Sequence, residues 1–215
     1  MKTVVGIFAH PDDESFGPSG TLALLAKENN VYLICVTNGD AATGTPDPKL
    51  AEIRKKELEN SAKVIGAKKV FFLNFGDGTL CNNNYHLIAQ KIQEIVDELK
   101  PETLITVEPR GVSGHLDHIA VSMITSFVFG KVKYVKEIWY NCMSEKMRKF
   151  IPSYFIYFPP GYKEEEIQKI VNISKVWSLK KKAIMQHKSQ IKDAVSILAM
   201  GQLLPKEEYF LVTKK

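Results

Sequence analysis

The chain has 215 residues, 45% of them apolar and 25% charged, the composition of an ordinary globular domain, which excludes disordered, collagen-like and membrane-spanning classes. Its 29 basic and 24 acidic residues leave a net charge of +5, but lysines and glutamates are interspersed along helix-like stretches such as 53–63. The one basic cluster, Lys180 to Lys182 with Lys188, lacks aromatic interleaving, so no nucleic-acid partner is expected.

In chain order, Lys2 to Ala9 reads as a short apolar strand, too short for the ~7 to 15 apolar residues of a signal peptide. No stretch approaches the ~20 apolar residues of a membrane span, so a cytoplasmic protein is expected. Thr21 to Lys27 reads as a helix capped by Ser19, and Val31 to Thr37 as a second buried strand. Asp47 and Pro48 form a cap and first-turn pair. Leu50, Ile53, Leu58, Ala62 and Ile65 then share one helical face until Gly66. Val70 to Leu73 restarts a strand. Tyr85 to Leu99 is a third helix with Leu87, Ile88, Ile92, Ile95, Val96 and Leu99 as its stripe. Thr103 to Val107 is the fourth strand, 117–129 a helix, and Tyr134 to Tyr140 a further strand.

This alternation predicts an α/β fold, a Rossmann-like, largely parallel sheet with helices on both faces. The last third is less regular: aromatic Tyr154 to Phe158, the turn Pro159 to Gly161, a basic helical stretch near Ser174 to Ser189 and a terminal strand at Tyr209 to Val212. No linker or repeat separates it, so residues 1–215 are read as a single domain. Cys35, Cys81 and Cys142 form an odd set without C-x-x-C spacing and read as reduced thiols.

In an open α/β sheet ligands bind beyond the strand carboxyl ends, where the strand order reverses, here between the first and fourth strands. Those strands are followed by the two most polar, histidine-bearing loops, AHPDDESFGPSG at Ala9 to Gly20 and EPRGVSGHLDH at Glu108 to His118. His10, Asp13 and His118 make the three ligands of a catalytic zinc site with an open fourth position. Neighbouring side chains point apart, so Asp12 is free to act as general base on a water made acidic by the ion. His115 fits a donor that stabilises an oxyanion. Asp117 fits a partner that orients a ligating imidazole. The first loop lacks G-x-G-x-x-G, so no dinucleotide is invoked.

With AHPDDE at Ala9 to Glu14 and GHLDH at Gly114 to His118, the chain resembles the LmbE-like (PIG-L) family of zinc-dependent N-deacetylases. TNGD at Thr37 to Asp40, R-x-x-E at Arg54 to Glu57, GDG at Gly76 to Gly78 and H-x-S-Q at His187 to Gln190 follow in the family's order. The resemblance implies the LmbE-like fold and removal of the N-acetyl group from an N-acetylglucosamine-containing small molecule, giving free amine and acetate. It implies one Zn2+ per chain, with Fe2+ or Co2+ sharing these ligands. By that resemblance His10, Asp13 and His118 bind metal, Asp12 is the base, His115 is the oxyanion stabiliser or the acid, and Arg54 and Asp77 hold the sugar. A salt bridge from Arg54 to Glu57 on the helix surface is the structural alternative, and His187 is read as a histidine holding the C-terminal helix. Two departures stand out: Leu116 replaces the usual proline, and Ser113 stands where some members carry a tyrosine.

Two rivals stay open at this stage, a metal-containing carbohydrate-binding protein without turnover and a hydrolase of a different bond. So do the aglycone, homo-oligomer formation, and whether Asp12 or His115 protonates the leaving amine.

Overall fold

A computed structural model describes residues 1–151 and 155–215. In chain order the strands are β1 (Thr3–Phe8), β2 (Asn30–Thr37), β3 (Lys69–Phe75), β4 (Thr103–Val107), β5 (Glu137–Cys142), β6 (Lys169–Asn172) and β7 (Glu207–Lys214). The helices are α1 (Asp13–Phe16), α2 (Ser19–Leu25), α3 (Pro48–Ile65), α4 (Tyr85–Leu99), α5 (Gly111–Gly114), α6 (Leu116–Lys131), α7 (Glu145–Arg148), α8 (Trp177–Ile184) and α9 (Ile191–Leu203).

All seven strands form one sheet in the order β3-β2-β1-β4-β5-β7-β6. The ladders from β3 through β5 are parallel, whereas β7 runs antiparallel to both β5 and β6. The order reverses between β1 and β4, as the sequence predicts. Alternation along β1 sends Val5 and Ile7 to a core shared with α4 and α6, and Val4 and Phe8 to a core shared with α2, α3 and α8. Both faces are therefore covered, which buries the parallel strands and explains their continuous apolar runs.

Several local readings hold. Asp47 accepts from the Lys49 N–H as the cap of α3, and Gly66 ends that helix in the left-handed conformation at φ 89°. Others change. Ser19 is the first residue of α2 rather than its cap; its hydroxyl donates to the Ser15 carbonyl. Ile53 and Leu87 are each 49% exposed. The buried face of α3 instead carries Arg54, Glu57, Leu58, Ser61, Ala62 and Ile65, because its polar members find partners in the loops above the sheet. The basic stretch at 174–189 is not one helix: α8 stops at Ile184, and His187 takes non-helical φ −83°, ψ 66°. Helix α9 and strand β6 lie where no element was predicted. Tyr154 lies outside the described residues. Among those described, no helix is long and apolar enough to cross a membrane.

Candidate active site

The loop after β1 turns sharply. The amides of Asp12 and Asp13 both donate to the His10 carbonyl, at 3.0 and 3.4 Å, and the His10 amide donates to Asp13 Oδ2 at 2.9 Å. Asp12 carries φ 154°, ψ −24°, a conformation non-glycine residues rarely adopt and one of the kind found at functional sites. The turn separates the adjacent carboxylates. Asp13 faces His10 and His118, while Asp12 Oδ2 accepts from the Arg54 guanidinium at 2.9 Å.

The loop after β4 is shaped by Glu108, 1% exposed, which accepts from the amides of Arg110 and Val112 and from the Tyr162 hydroxyl. Val112 is held at φ 61°, ψ −57°, and Gly114, at φ 82°, lies against the Tyr157 carbonyl, where any β-carbon would overlap it. His115 precedes α6 as its N-cap, with ring Nδ1 accepting from the Asp117 amide at 3.1 Å. Phe155 sits edge-on to the His115 ring at 5.1 Å between centroids.

The two loops meet. His10 Nδ1 lies 3.1 Å from His118 Nε2, and Asp13 Oδ1 lies 3.2 Å from the same His118 nitrogen. His10, Asp13 and His118 form one group able to share an ion; His10, His115 and Asp117 form another. The far nitrogen of each of these two rings is committed elsewhere. His118 Nδ1 faces the Gly111 carbonyl at 3.1 Å and must donate to it. His10 Nε2 faces Asp77 Oδ1 at 3.0 Å and Asp117 Oδ2 at 3.2 Å. With those bonds made, His10 Nδ1 and His118 Nε2 face each other beside Asp13 and can share a proton or a cation, so the donor set fits a divalent cation.

Electrostatics follow the contacts. Burial alone would lower the His10 pKa, but Asp117 and Asp77 outweigh it and raise it to about 10. Burial would raise Asp13, yet His118 and His10 hold it well below the usual carboxylate range. Asp12 is pushed up to about 6 by burial, against the opposing pull of Arg54. His115 is lowered to about 4 by burial and by the neighbouring His10 and His118.

Arg54 and Asp77 both line the cavity beside His10, Asp12 and Asp13, and both also contact protein groups. Arg54 is 3% exposed; it donates to the Gly39 and Pro11 carbonyls as well as to Asp12, and it makes no bridge to Glu57. Asp77 is turned toward His10, with Arg54 at 3.8 Å, because its loop is folded down by the Gly78 and Leu80 amides on Asp117 and by its own amide on Asp40.

Glu14 and Tyr162 have no role in the sequence reading. Glu14 accepts from Ser61 at 2.5 Å and pairs with His187 at 2.9 Å, both partners fully buried. Glu57 accepts from the amide and hydroxyl of Ser189. The signal was the H-x-S-Q motif, which singled out His187 but not its partner. Nothing in the sequence pointed to Tyr162.

Residues 5–129, more than half the chain, match the family of GlcNAc-PI de-N-acetylases, PIG-L. The chain belongs to the PIG-L family. One PIG-L relative, the probable N-acetyl-alpha-D-glucosaminyl L-malate deacetylase 2 of Bacillus subtilis, is 35% identical over 124 residues, 54% of this chain and 56% of the relative. The probable N-acetylglucosaminyl-phosphatidylinositol de-N-acetylase of Schizosaccharomyces pombe is 33% identical over 129 residues, 56% of this chain and 49% of the relative. The matched part thus spans about half the length of these relatives. Among solved structures, N,N'-diacetylchitobiose deacetylase from Pyrococcus horikoshii superimposes with TM-score 0.73 at 23% identity, covering 99% of this chain and 84% of that one. The 4-carboxy-2-hydroxymuconate hydratase GalB from Pseudomonas putida gives 0.75 at 14% identity, covering 100% and 97%. These structures share the PIG-L fold of this chain.

Proposed function

We propose that this PIG-L chain is a metal-dependent amidohydrolase that removes the N-acetyl group from an N-acetylglucosamine-containing small molecule, releasing the free amine and acetate. The observation that carries the reading is the pair of imidazole nitrogens 3.1 Å apart beside Asp13, each ring held by a hydrogen bond on its opposite nitrogen. His10, Asp13 and His118 would hold one divalent cation, zinc by its ligand preferences, with iron or cobalt compatible. When bound, the cation supplies Lewis acidity toward water and toward the amide carbonyl.

The chain's own groups divide the remaining tasks. Asp12 takes the proton of the attacking water as the new C–O bond forms. The same carboxyl returns that proton to the amine nitrogen as the C–N bond breaks. Arg54 anchors one oxygen of Asp12 and leaves the other toward the cavity that Asp12 lines. His115 is a donor rather than an acid: because Nδ1 already accepts from the Asp117 amide, the ring proton sits on Nε2, and a second proton would break the helix cap. Nε2–H then stabilises the developing oxyanion. Asp117 and Asp77 orient His10.

The test is acetate release from N-acetylglucosamine derivatives, with bound metal quantified on the same sample. Wild type should release acetate with one cation per chain. Asp12→Asn should retain the cation and lose about 10²- to 10⁴-fold in kcat. Near-normal turnover in that variant would remove Asp12 from the mechanism, and absence of acetate from wild type would sink the reading.

A further inference from the structure

The site opens into a cavity of about 610 Å³ that runs from His10, Asp13 and His118 to the inner side of α9, within the ~300 to 1,000 Å³ of typical small-molecule sites. Its two ends differ in chemistry. The near end carries the polar groups already described. The far end is walled by Phe150, Trp177, Ile197, Met200 and Leu204.

Charge sharpens the contrast. Among the described residues, Arg54 and Lys180 are the only arginine and lysine that line the cavity, and both are committed. Lys180 is 6% exposed, lies 2.6 Å from Glu208 Oε1 and also donates to the Gly17 carbonyl. Glu208 in turn accepts from the Gly20 and Thr21 amides. The remaining ionisable groups of the far end, Asp193 and Glu207, are acidic. A carboxylate or phosphate entering there would lose water and meet like charge with no free cation to receive it.

We infer that the group joined to the N-acetyl sugar is an uncharged, apolar alkyl or aromatic substituent, seated against Trp177, Ile197 and Met200. The inference rests on the deacetylase reading and adds the substrate class. It sets this chain apart from a malyl-bearing substrate of the kind named for the Bacillus subtilis relative, whose carboxylates would enter an acidic wall.

Metal-loaded enzyme is assayed for acetate release on methyl, octyl and malyl N-acetylglucosaminides, and the intrinsic fluorescence of its two tryptophans, Trp139 and Trp177, is titrated with octyl glucoside, which has no acetyl group. Burial of only two methylenes corresponds to about tenfold in affinity, so octyl should exceed methyl at least tenfold in kcat/KM, through KM, with malyl no better than methyl. Met200→Asp, and the milder Met200→Gln should the first fold poorly, should erase the octyl advantage and leave the methyl glycoside unchanged. Equal rates for octyl and methyl, or a preference for malyl, with acetate still released, overturn the inference and spare the deacetylase reading. If no glycoside releases acetate, that reading falls, and the titration decides the cavity alone. Saturable octyl glucoside binding, weakened at least fivefold in Met200→Asp, supports an apolar site, and its absence overturns it.

Discussion

The parallel part of the sheet and its antiparallel edge are built to different standards. At the carboxyl ends of β1 and β4, every proposed ligand is fixed twice, once toward the shared centre and once by a hydrogen bond behind it. Beyond β5, the wall formed by α8, α9 and the segment around Phe155 presents half-buried or exposed apolar side chains to the cavity. The family match ends at residue 129, before this wall begins. Fixed donors suit one arrangement of charge, whereas an apolar wall can change its shape without disturbing them. The two parts are nevertheless stitched together by polar contacts, Glu14 with His187, Glu57 with Ser189, and Glu208 with the Gly20 and Thr21 amides.

That contrast can be broken at several points. The largest effect should come from His118→Ala, which deletes one of the facing imidazole nitrogens: bound cation and acetate release should both fall to background while the far-ultraviolet circular dichroism stays native. Retained stoichiometric metal would show that the ligand set is drawn wrongly. Next is His187→Gln, on the stitching rather than in the chemistry. It leaves Glu14 buried without its cationic partner, a loss of about 3 to 5 kcal/mol in denaturant unfolding. Its pH dependence has a defined sign. Burial alone would lower the His187 pKa, but Glu14 outweighs it and raises it above 6.5. The stabilisation is therefore complete below pH 6.5 and fades as pH rises through the raised value. The gap between wild type and variant should shrink toward alkaline pH; a gap that widens would mean the pair is not ionic. The smallest effect is expected from Asp117→Asn, which keeps a hydrogen-bonding side chain behind His10 but removes its charge. Cation affinity should weaken about 10- to 100-fold by competition with a chelator, and an unchanged affinity would assign the orientation of His10 to Asp77 instead.

The fold is legible in the sequence where periodicity is strong and one face is uniformly apolar. Strand β4 lies at the predicted residues, and α4 with its proline just beyond the end does too. Reading fails where burial is polar. Arg54, Glu57 and Ser61 occupy the inner face of α3 because partners from residues 11, 12, 14, 39 and 189 satisfy them, and no local pattern announces partners so distant in the chain. The C-terminal helices were misdrawn for a related reason: His187 leaves helical geometry where its ring meets Glu14, a contact across 173 positions. The solved structures carry a similar lesson, since the PIG-L fold appears in proteins named a deacetylase and a hydratase.

The sequence alone determined the alternation that builds a doubly covered sheet, the two histidine-bearing loops and the point where they meet, because hydrophobic period and strand order obey local and topological rules. Tertiary structure alone decided which groups hold the far nitrogens of His10 and His118, the turning of Asp77 and Arg54 inward, and the apolar far wall of the cavity. Each of these depends on which hydrogen-bond and packing partners arrive from far along the chain, and chain spacing does not encode that.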